Sequence, residues 1–208
     1  MARTVSLMDL MRAIVANDAE TVSRLLDASP DLASAPLAEG ATRQGATGYW
    51  FEEIGHYLYK GDTALHVAAA AYRHAVARRL IDSGGNVRAR NRRGAEPLHY
   101  AADGGPGSLS WNPEAQAATI TVLIAAGADP NATDNSGVAP LHRAVRTRCT
   151  GAVRALLEGG ADIRRKNKSG STPLRLATLT TGRGGSGSAE AKARQVEIVR
   201  LLKEQGAR

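Results

Sequence analysis

Aromatic side chains and cysteine are scarce in this chain of 208 residues. Phe, Trp and Tyr make up 4% of the sequence, with a single Phe, which is little for a compact core of this size. Cys149 is the only cysteine, so the sequence excludes an intramolecular disulfide and a thiolate metal cluster. Hydrophobic residues still make up 43%, which predicts a folded chain rather than a disordered one. Helices that pack closely through small side chains fit this composition.

Long apolar runs are also absent. No stretch approaches the roughly 18 apolar residues that a membrane span needs. Asp9 and Arg12 interrupt the apolar residues near the N-terminus, so no run reaches the length of a signal peptide. We therefore expect no membrane association and a cytoplasmic location.

Positive charge dominates, but only in part of the chain. Residues 1–60 hold five basic and eight acidic side chains, a net charge of −3, whereas residues 61–208 hold 22 and 12, a net charge of +10. The excess is arginine, because the chain has only five lysines. Either an anionic partner or a generally arginine-rich composition accounts for this asymmetry.

A repeated motif organises the sequence from residue 61 onward. Four segments follow the pattern T-P-L-H-x-A, with departures, after a glycine at position 61, 94, 137 or 170. The first two and the last two of these glycines are 33 residues apart, and the middle pair is 43 apart, which is one period plus an insertion. Each segment is followed by an apolar pair and then by a glycine-containing turn.

This motif at a period of 33 residues resembles the ankyrin-repeat family. The resemblance covers the chain from Gly61 onward in four units, and the start of the chain looks like a degenerate fifth. It implies an all-α ankyrin-repeat solenoid, in which helix-turn-helix units are joined by short hairpin fingers. A single domain is expected, with units at about 6–34, 61–93, 94–136, 137–169 and 170–208 and insertions at 35–60, 103–113 and 180–188.

Three histidines recur at the same place in the motif, at His66, His99 and His142. They do not predict a metal site, since each belongs to a different unit and packed helices lie about 10 Å apart. The resemblance implies instead a structural role, in which the imidazoles hydrogen-bond backbone and threonine groups between repeats. Neither a metal nor another cofactor is expected.

The first insertion, residues 35–60, holds five of the eight aromatic residues. Trp50, Phe51, Ile54, Tyr57 and Leu58 follow the spacing of one helical face, which predicts a short amphipathic helix. That helix either covers the first repeats as local core or presents its rings to a ligand. A pairing of Glu53 with His56 resembles half of a carboxylate-metal motif, but the second half is missing.

The other two insertions lie between the helices of their units. In residues 103–113, Asn112 and Pro113 predict the start of a helix, with Trp111 holding the loop in place. Residues 180–188 are rich in glycine and serine. They lack the spacing and the lysine of a phosphate-binding loop, which favours a flexible linker.

Ankyrin-like proteins bind partners through finger tips and the inner helix face, and that resemblance assigns candidate residues. Fingers two and four are basic, with the sequences Arg88-Ala-Arg-Asn-Arg-Arg and Arg164-Arg-Lys-Asn-Lys. The resemblance gives the candidates Lys60, Arg88, Arg90, Arg92, Arg93, Arg146, Arg164, Lys166 and Lys168, and the aromatic insertion adds Trp50 and Tyr57. We expect a scaffold without catalytic activity that binds an acidic protein partner. The alternative is nucleic acid or another polyanion bound by the basic fingers.

Overall fold

The predicted all-α solenoid is confirmed. The computed structural model describes residues 6–106, 111–179 and 188–207, and ten α-helices lie within them. They are α1 (Leu7–Val15), α2 (Ala19–Ala28), α3 (Ala64–Ala70), α4 (His74–Asp82), α5 (Pro97–Ala102), α6 (Pro113–Ala125), α7 (Pro140–Arg146), α8 (Thr150–Glu158), α9 (Pro173–Thr178) and α10 (Ala189–Glu204). Two consecutive helices form each of the five units.

The units stack so that equivalent helices lie side by side. The first helices form an inner row in the order α1, α3, α5, α7 and α9, and α4, α6, α8 and α10 contact one another in order in an outer row. Small residues permit this close approach, since Ala68, Ala69, Ala101 and Ala102 have no exposed surface. One unit cannot bury its apolar face alone, so the stack itself creates the continuous core.

Local chemistry explains where the helices begin and end. Prolines occupy the first position of α5, α7 and α9, where a missing backbone N–H costs no hydrogen bond. After the second helix, Gly84, Gly127 and Gly160 adopt φ values of 91°, 94° and 88°, which a side chain would disfavour. The first unit also folds as predicted, with its apolar residues Leu10, Val22 and Leu26 buried.

Each finger turns around an asparagine or aspartate. In finger two, the Asn91 side-chain oxygen accepts hydrogen bonds from the backbone N–H groups of Arg93 (2.9 Å) and Ala95 (3.1 Å). Asp134 and Asn167 make the same pair of bonds in the next two fingers. Together with a backbone hydrogen bond across each turn, such as Asn91 N–H to the Ala95 carbonyl at 3.1 Å, these bonds hold each finger tip in a fixed shape.

The amphipathic helix predicted from residues 50–58 is wrong. The insertion instead forms a small antiparallel hairpin of β1 (Trp50–Phe51) and β2 (His56–Tyr57), flanked and bridged by short 3-10 helices at Thr47–Tyr49 and Glu52–Ile54. Gly55 ends the bridging turn in a left-handed conformation, with φ of 58°. A continuous helix cannot pass through that conformation, and the chain reverses there.

The other insertions are described in part. The helix start predicted at Asn112 is confirmed, because its side chain accepts a hydrogen bond from the Ala115 N–H at 2.9 Å. Trp111 is partly buried against the core, and its indole N–H donates to the Gln116 side chain at 2.9 Å. The glycine-rich linker predicted at 180–188 lies outside the described residues, apart from Ser188.

Among the described helices, none combines the length and the apolar character that crossing a membrane requires.

Candidate partner-binding groove

Two exposed aromatic rings mark the hairpin of the first insertion. Trp50 and Tyr57 face each other across the two strands, with ring centroids 4.6 Å apart and planes tilted by 54°. Both are large side chains with substantial exposure, 43% and 39%. Their strand neighbour Phe51 and the adjacent Leu58 are buried, so the hairpin has one side in the core and one side in solvent. The insertion therefore contributes Phe51 and Leu58 to the local core and leaves Trp50 and Tyr57 exposed.

The hairpin rests on the inner row through His56. The His56 ring lies 4.4 Å from the ring of Tyr100 on α5, and its Nδ1 donates a hydrogen bond to the Tyr57 carbonyl at 2.7 Å. Burial lowers the pKa of His56. The imidazole is therefore neutral at pH 7 and adds no charge to this surface.

A buried polar cluster lies beneath the hairpin and fixes it to finger two. Asp62 has no exposed surface, and its carboxylate accepts hydrogen bonds from the Tyr100 hydroxyl (2.9 Å) and the Asn91 side-chain amide (2.8 Å). The backbone N–H of Tyr59 donates to the same carboxylate at 2.7 Å. Burial, and then the Asp62 carboxylate, raise the pKa of Tyr100 well above its usual range. Such a satisfied cluster makes the floor of the surface rigid.

Above this floor lies a groove of about 800 Å³, which we call the hairpin groove. The hairpin forms one wall with Trp50 and Tyr57, and the repeats form the other with Arg93 and Arg146. Arg146 is exposed and makes no ion pair within the described parts of the chain. Arg93 is also exposed, and its guanidinium lies 5.0 Å from the centre of the Tyr59 ring. The groove thus combines aromatic surface with positive charge.

A third arginine of the groove is already paired. Arg143 contacts the carboxylate of Asp134 at 3.1 Å and that of Asp103 at 3.9 Å, and its side chain is only 12% exposed. Hydrogen bonds from the Val138 and Ser136 backbone and from Arg143 outweigh burial and lower the pKa of Asp134. Arg143 therefore positions acidic groups within the repeats rather than offering a free guanidinium.

The basic candidates of finger two are mostly engaged within the protein. Every arginine in this finger donates a hydrogen bond from its side chain: Arg88 to the Gly127 carbonyl (3.0 Å), Arg90 to the Thr133 carbonyl (2.7 Å), Arg92 to the Ala41 carbonyl and Arg93 to the Tyr59 hydroxyl (3.0 Å). The Lys60 side chain is exposed, and the backbone carbonyl of Lys60 accepts a hydrogen bond from the Arg92 backbone N–H at 2.8 Å. Finger two is thus fastened to the first insertion and to the third unit, including its finger at residues 131–136, which we call finger three.

The basic candidates of finger four are placed differently. Arg164, Lys166 and Lys168 are all exposed, and their side chains make no hydrogen bond or ion pair with the residues that the structure describes. They lie two units from finger two and do not line the hairpin groove. The structure therefore brings together only Trp50, Tyr57, Arg93 and Arg146 among the candidates.

The three motif histidines lie inside the stack. Each accepts a hydrogen bond at Nδ1 from a backbone N–H of its own unit and donates from Nε2 to a carbonyl of the next: His66 joins Thr63 to Ala95, His99 joins Glu96 to Val138, and His142 joins Ala139 to Ser171. Burial lowers the pKa of all three, to about 3 for His99. The neutral imidazole is the form that makes both bonds, because Nδ1 must accept.

A second cavity of about 410 Å³ adjoins the hairpin groove, and we call it the glutamate pocket. Glu52 and Glu53 from the hairpin line it, together with the rings of Tyr72 and Trp111 and with Arg73. Gly55, His56, Tyr100 and Asp103 line both cavities. The hairpin tip therefore separates two adjoining depressions on one face of the protein.

Four of the residues that line these cavities but were not predicted as partner-binding residues are His56, Tyr59, Tyr100 and Arg143. Tyr100 and Arg143 directly follow the motif histidines at 99 and 142, a position that faces the groove in both units. The position directly after the motif histidine could therefore have been predicted to line the groove. Tyr59 carried no such signal, and the sequence marked His56 only as half of a metal motif with Glu53.

No group of three or more His, Cys, Asp or Glu side chains within residues 6–106, 111–179 and 188–207 could hold a metal ion.

Comparison with known proteins places the chain among repeat proteins. A family model described as ankyrin repeats (3 copies) matches residues 10–110, and one described as ankyrin repeats (many copies) matches residues 123–177. Together they cover about three quarters of the chain.

Curated relatives include mouse (Mus musculus) ankyrin repeat and SOCS box protein 16, which is 38% identical over 117 residues, or 55% of this chain and 25% of the relative. Human (Homo sapiens) ankyrin repeat and SOCS box protein 6 is 28% identical over 200 residues, or 90% and 44%. Human B-cell lymphoma 3 protein is 35% identical over 123 residues, or 59% and 26%. The chain spans less than half the length of each of these relatives. The repeat, its period, the stacked fold and both family matches agree, and the chain belongs to the ankyrin-repeat family.

Proposed function

We propose that this chain is a non-catalytic scaffold that binds an acidic segment of a protein partner in the hairpin groove. Ankyrin repeats generally mediate protein–protein interaction, which supports the first part of the proposal. Support for the acidic partner comes from one observation: two exposed rings and two exposed arginines line the same groove.

The chemistry of the groove favours a protein segment over a small molecule. Aromatic rings and arginine are the side chains most enriched where protein interfaces bind tightly. Trp50 and Tyr57 offer rigid apolar area, and Arg146 offers a guanidinium whose five N–H donors suit a carboxylate. An acidic segment would neutralise the unpaired charge while covering the rings.

A peptide selection tests the proposal without knowledge of the natural partner. A random library of 12-residue peptides is displayed and selected on the immobilised full chain. We expect the enriched peptides to be acidic. In synthetic form they should bind at least about tenfold more weakly to Arg146→Glu, because reversal puts like charges together at the centre of the interface.

Lys168→Glu is the matched control, since it makes the same charge change at an exposed position outside the groove. It should weaken binding by less than about twofold, because rim and distant charges contribute little. Equal weakening by both variants, or enriched peptides without acidic residues, would overturn the proposal.

Nucleic acid or another polyanion is the second candidate, favoured by finger four. Three of its four basic side chains, Arg164, Lys166 and Lys168, are exposed and make no hydrogen bond or ion pair within the described residues. No aromatic residue lies within the basic fingers in the sequence, but in space the Tyr59 ring lies about 5 Å from both Arg92 and Arg93 of finger two. Backbone phosphates and a stacking ring are the usual requirements of single-strand binding.

Salt separates the two candidates. Binding of a single-stranded oligonucleotide through fingers should weaken steeply between about 50 and 200 mM salt and should be lost on Arg164→Glu with Lys168→Glu. A flat salt response, or binding unchanged in that variant, would remove the second candidate and leave the first intact.

A further inference from the structure

The two cavities beside the hairpin tip have opposite charge. Arg93, Arg143 and Arg146 line the hairpin groove against one acid, Asp103. In the glutamate pocket the relation is reversed, with Glu52, Glu53 and Asp103 against Arg73. Asp103 lines both cavities and, with Asp134, pairs with Arg143, so two arginines remain in the hairpin groove and two glutamates in the glutamate pocket.

The side chains of opposite charge within each cavity do not cancel the difference in charge between the hairpin groove and the glutamate pocket. Asp103 lies 3.9 Å from Arg143, so these two partly neutralise each other at the shared wall. The Arg73 guanidinium donates a hydrogen bond at 3.4 Å to the carbonyl of Val15, which lines the same pocket. Glu52 and Glu53 are exposed, and neither makes an ion pair within the described residues. His56, on the shared wall, is held neutral by burial.

The glutamate pocket also has the walls that a cationic side chain needs. Rings of Trp111 and Tyr72 line it, and both rings are fixed by hydrogen bonds, to Gln116 at 2.9 Å and to the Asp103 carbonyl at 2.7 Å. Aromatic faces attract ammonium and guanidinium groups and also pack against their methylene chains. Carboxylates next to such rings supply the charge.

We infer that the partner segment carries both signs of charge: an acidic side chain in the hairpin groove and a lysine or arginine in the glutamate pocket, on one extended stretch of chain. This inference rests on the proposed function and adds the second subsite to it. Cavities of these volumes are on the order of 10 Å across and share a wall, so an extended chain rising about 3.3 Å per residue would cross from one to the other in about three residues.

Opposite charges in register give selectivity as well as affinity. An all-acidic segment would place a carboxylate against Glu52 and Glu53, which is repulsive. A segment of reversed polarity would meet like charge in both cavities. The hairpin tip thereby sets the direction in which the partner chain lies.

The same peptide selection tests this inference through a second readout. Peptides enriched on the wild-type chain should hold an acidic residue and a Lys or Arg about three positions apart. On Glu52→Lys with Glu53→Lys the basic position should disappear while the acidic position stays. Both glutamates are exposed, so these changes leave the fold intact.

One enriched peptide is then measured in a double-mutant cycle. Replacing its basic residue by alanine should weaken binding to the wild-type chain by at least fivefold, but by less than twofold when Glu52 and Glu53 are both changed to Gln. Asp82→Asn with Glu158→Gln makes the same charge change at two exposed helix ends far along the sequence and should leave the cycle unaltered.

The inference is overturned if the basic residue contributes equally in both backgrounds, or if enriched peptides are acidic with no basic position. In that outcome, loss of binding on Arg146→Glu still supports the proposed function. If no peptide is enriched, or if Arg146→Glu has no effect, the proposed function fails together with the inference.

Discussion

Fingers two and four have nearly the same sequence pattern but different surroundings. Position by position, Arg88, Arg90, Asn91 and Arg92 correspond to Arg164, Lys166, Asn167 and Lys168, and Gly94 and Gly170 close the two turns with φ of 72° and 74°. Both asparagines hold their turns with the same two hydrogen bonds. Backbone geometry is therefore shared, and the side chains make the difference.

In finger two the basic side chains are part of the architecture. Its four arginines donate to neighbouring carbonyls and to the Tyr59 hydroxyl, which ties the first insertion to the repeats. In finger four the corresponding side chains extend into solvent. Equal charge density in a sequence therefore does not mean equal availability to a partner. Because the Arg92 side chain already donates a hydrogen bond within the protein, the exposed Arg146 is the informative position for charge reversal.

The largest expected difference between the fingers lies at their asparagines. Asn91→Ala should lower the free energy of unfolding by about 3 kcal/mol, and Asn167→Ala by about 1 kcal/mol, measured by urea denaturation. Both variants lose the turn bonds, but Asn91 also donates to the buried Asp62 (2.8 Å) and to the Tyr100 hydroxyl (2.9 Å). Equal losses in the two variants would show that the buried cluster adds nothing to finger two.

Lowering the pH should destabilise the units beside finger two more than the last unit. His99 is buried with a pKa of about 3, whereas Arg175 takes the equivalent place in the unit after finger four. The unfolded chain takes up a proton on His99 near pH 6.5, and the folded chain does not until about pH 3. The stability that the neutral His99 contributes is thus fully present above pH 6.5 and falls as the pH drops toward 3.

From pH 7 to pH 5 this histidine alone should lower the free energy of unfolding by about 2 kcal/mol. His99→Gln removes that part of the pH dependence, while His74→Gln, at an exposed position at the start of α4, should retain it. Urea denaturation at the two pH values gives the comparison. A wild-type pH dependence retained in full by His99→Gln would contradict the assignment.

The regular part of the fold was predictable because the repeat encodes it locally. Glycines at fixed spacing, prolines at helix starts and small residues such as Ala68 and Ala101 each favour the same stack. The hairpin was not predictable by the same means. Trp50, Phe51, Tyr57 and Leu58 fit a helical face, yet Trp50 also pairs with Tyr57 across a turn, and one left-handed glycine decides between the two.

Candidate site residues were predictable only as a set of exposed positions. The sequence pattern selected Trp50, Tyr57, Arg93 and Arg146 together with the solvated residues of finger four, because composition does not report distance. Asp62 and Tyr100 lie 38 residues apart and meet only through the stack. Contacts between residues so far apart leave no local pattern in the sequence, so the floor of the groove could not be predicted without the three-dimensional structure.

The smallest expected effect concerns the arginine that joins finger two to the insertion. Arg92→Ala should lower the free energy of unfolding by about 1 kcal/mol, because the side chain donates to the Ala41 carbonyl and packs 5.1 Å from the centre of the Tyr59 ring. Lys168→Ala, the matched change in finger four, should stay within about 0.5 kcal/mol of wild type. Arg92→Lys sharpens the comparison, since lysine keeps the charge but not the planar fork. If Arg92→Lys restores full stability, charge near the insertion is sufficient. If it is as unstable as the alanine variant, the directed hydrogen bond to the insertion is what finger two has and finger four lacks.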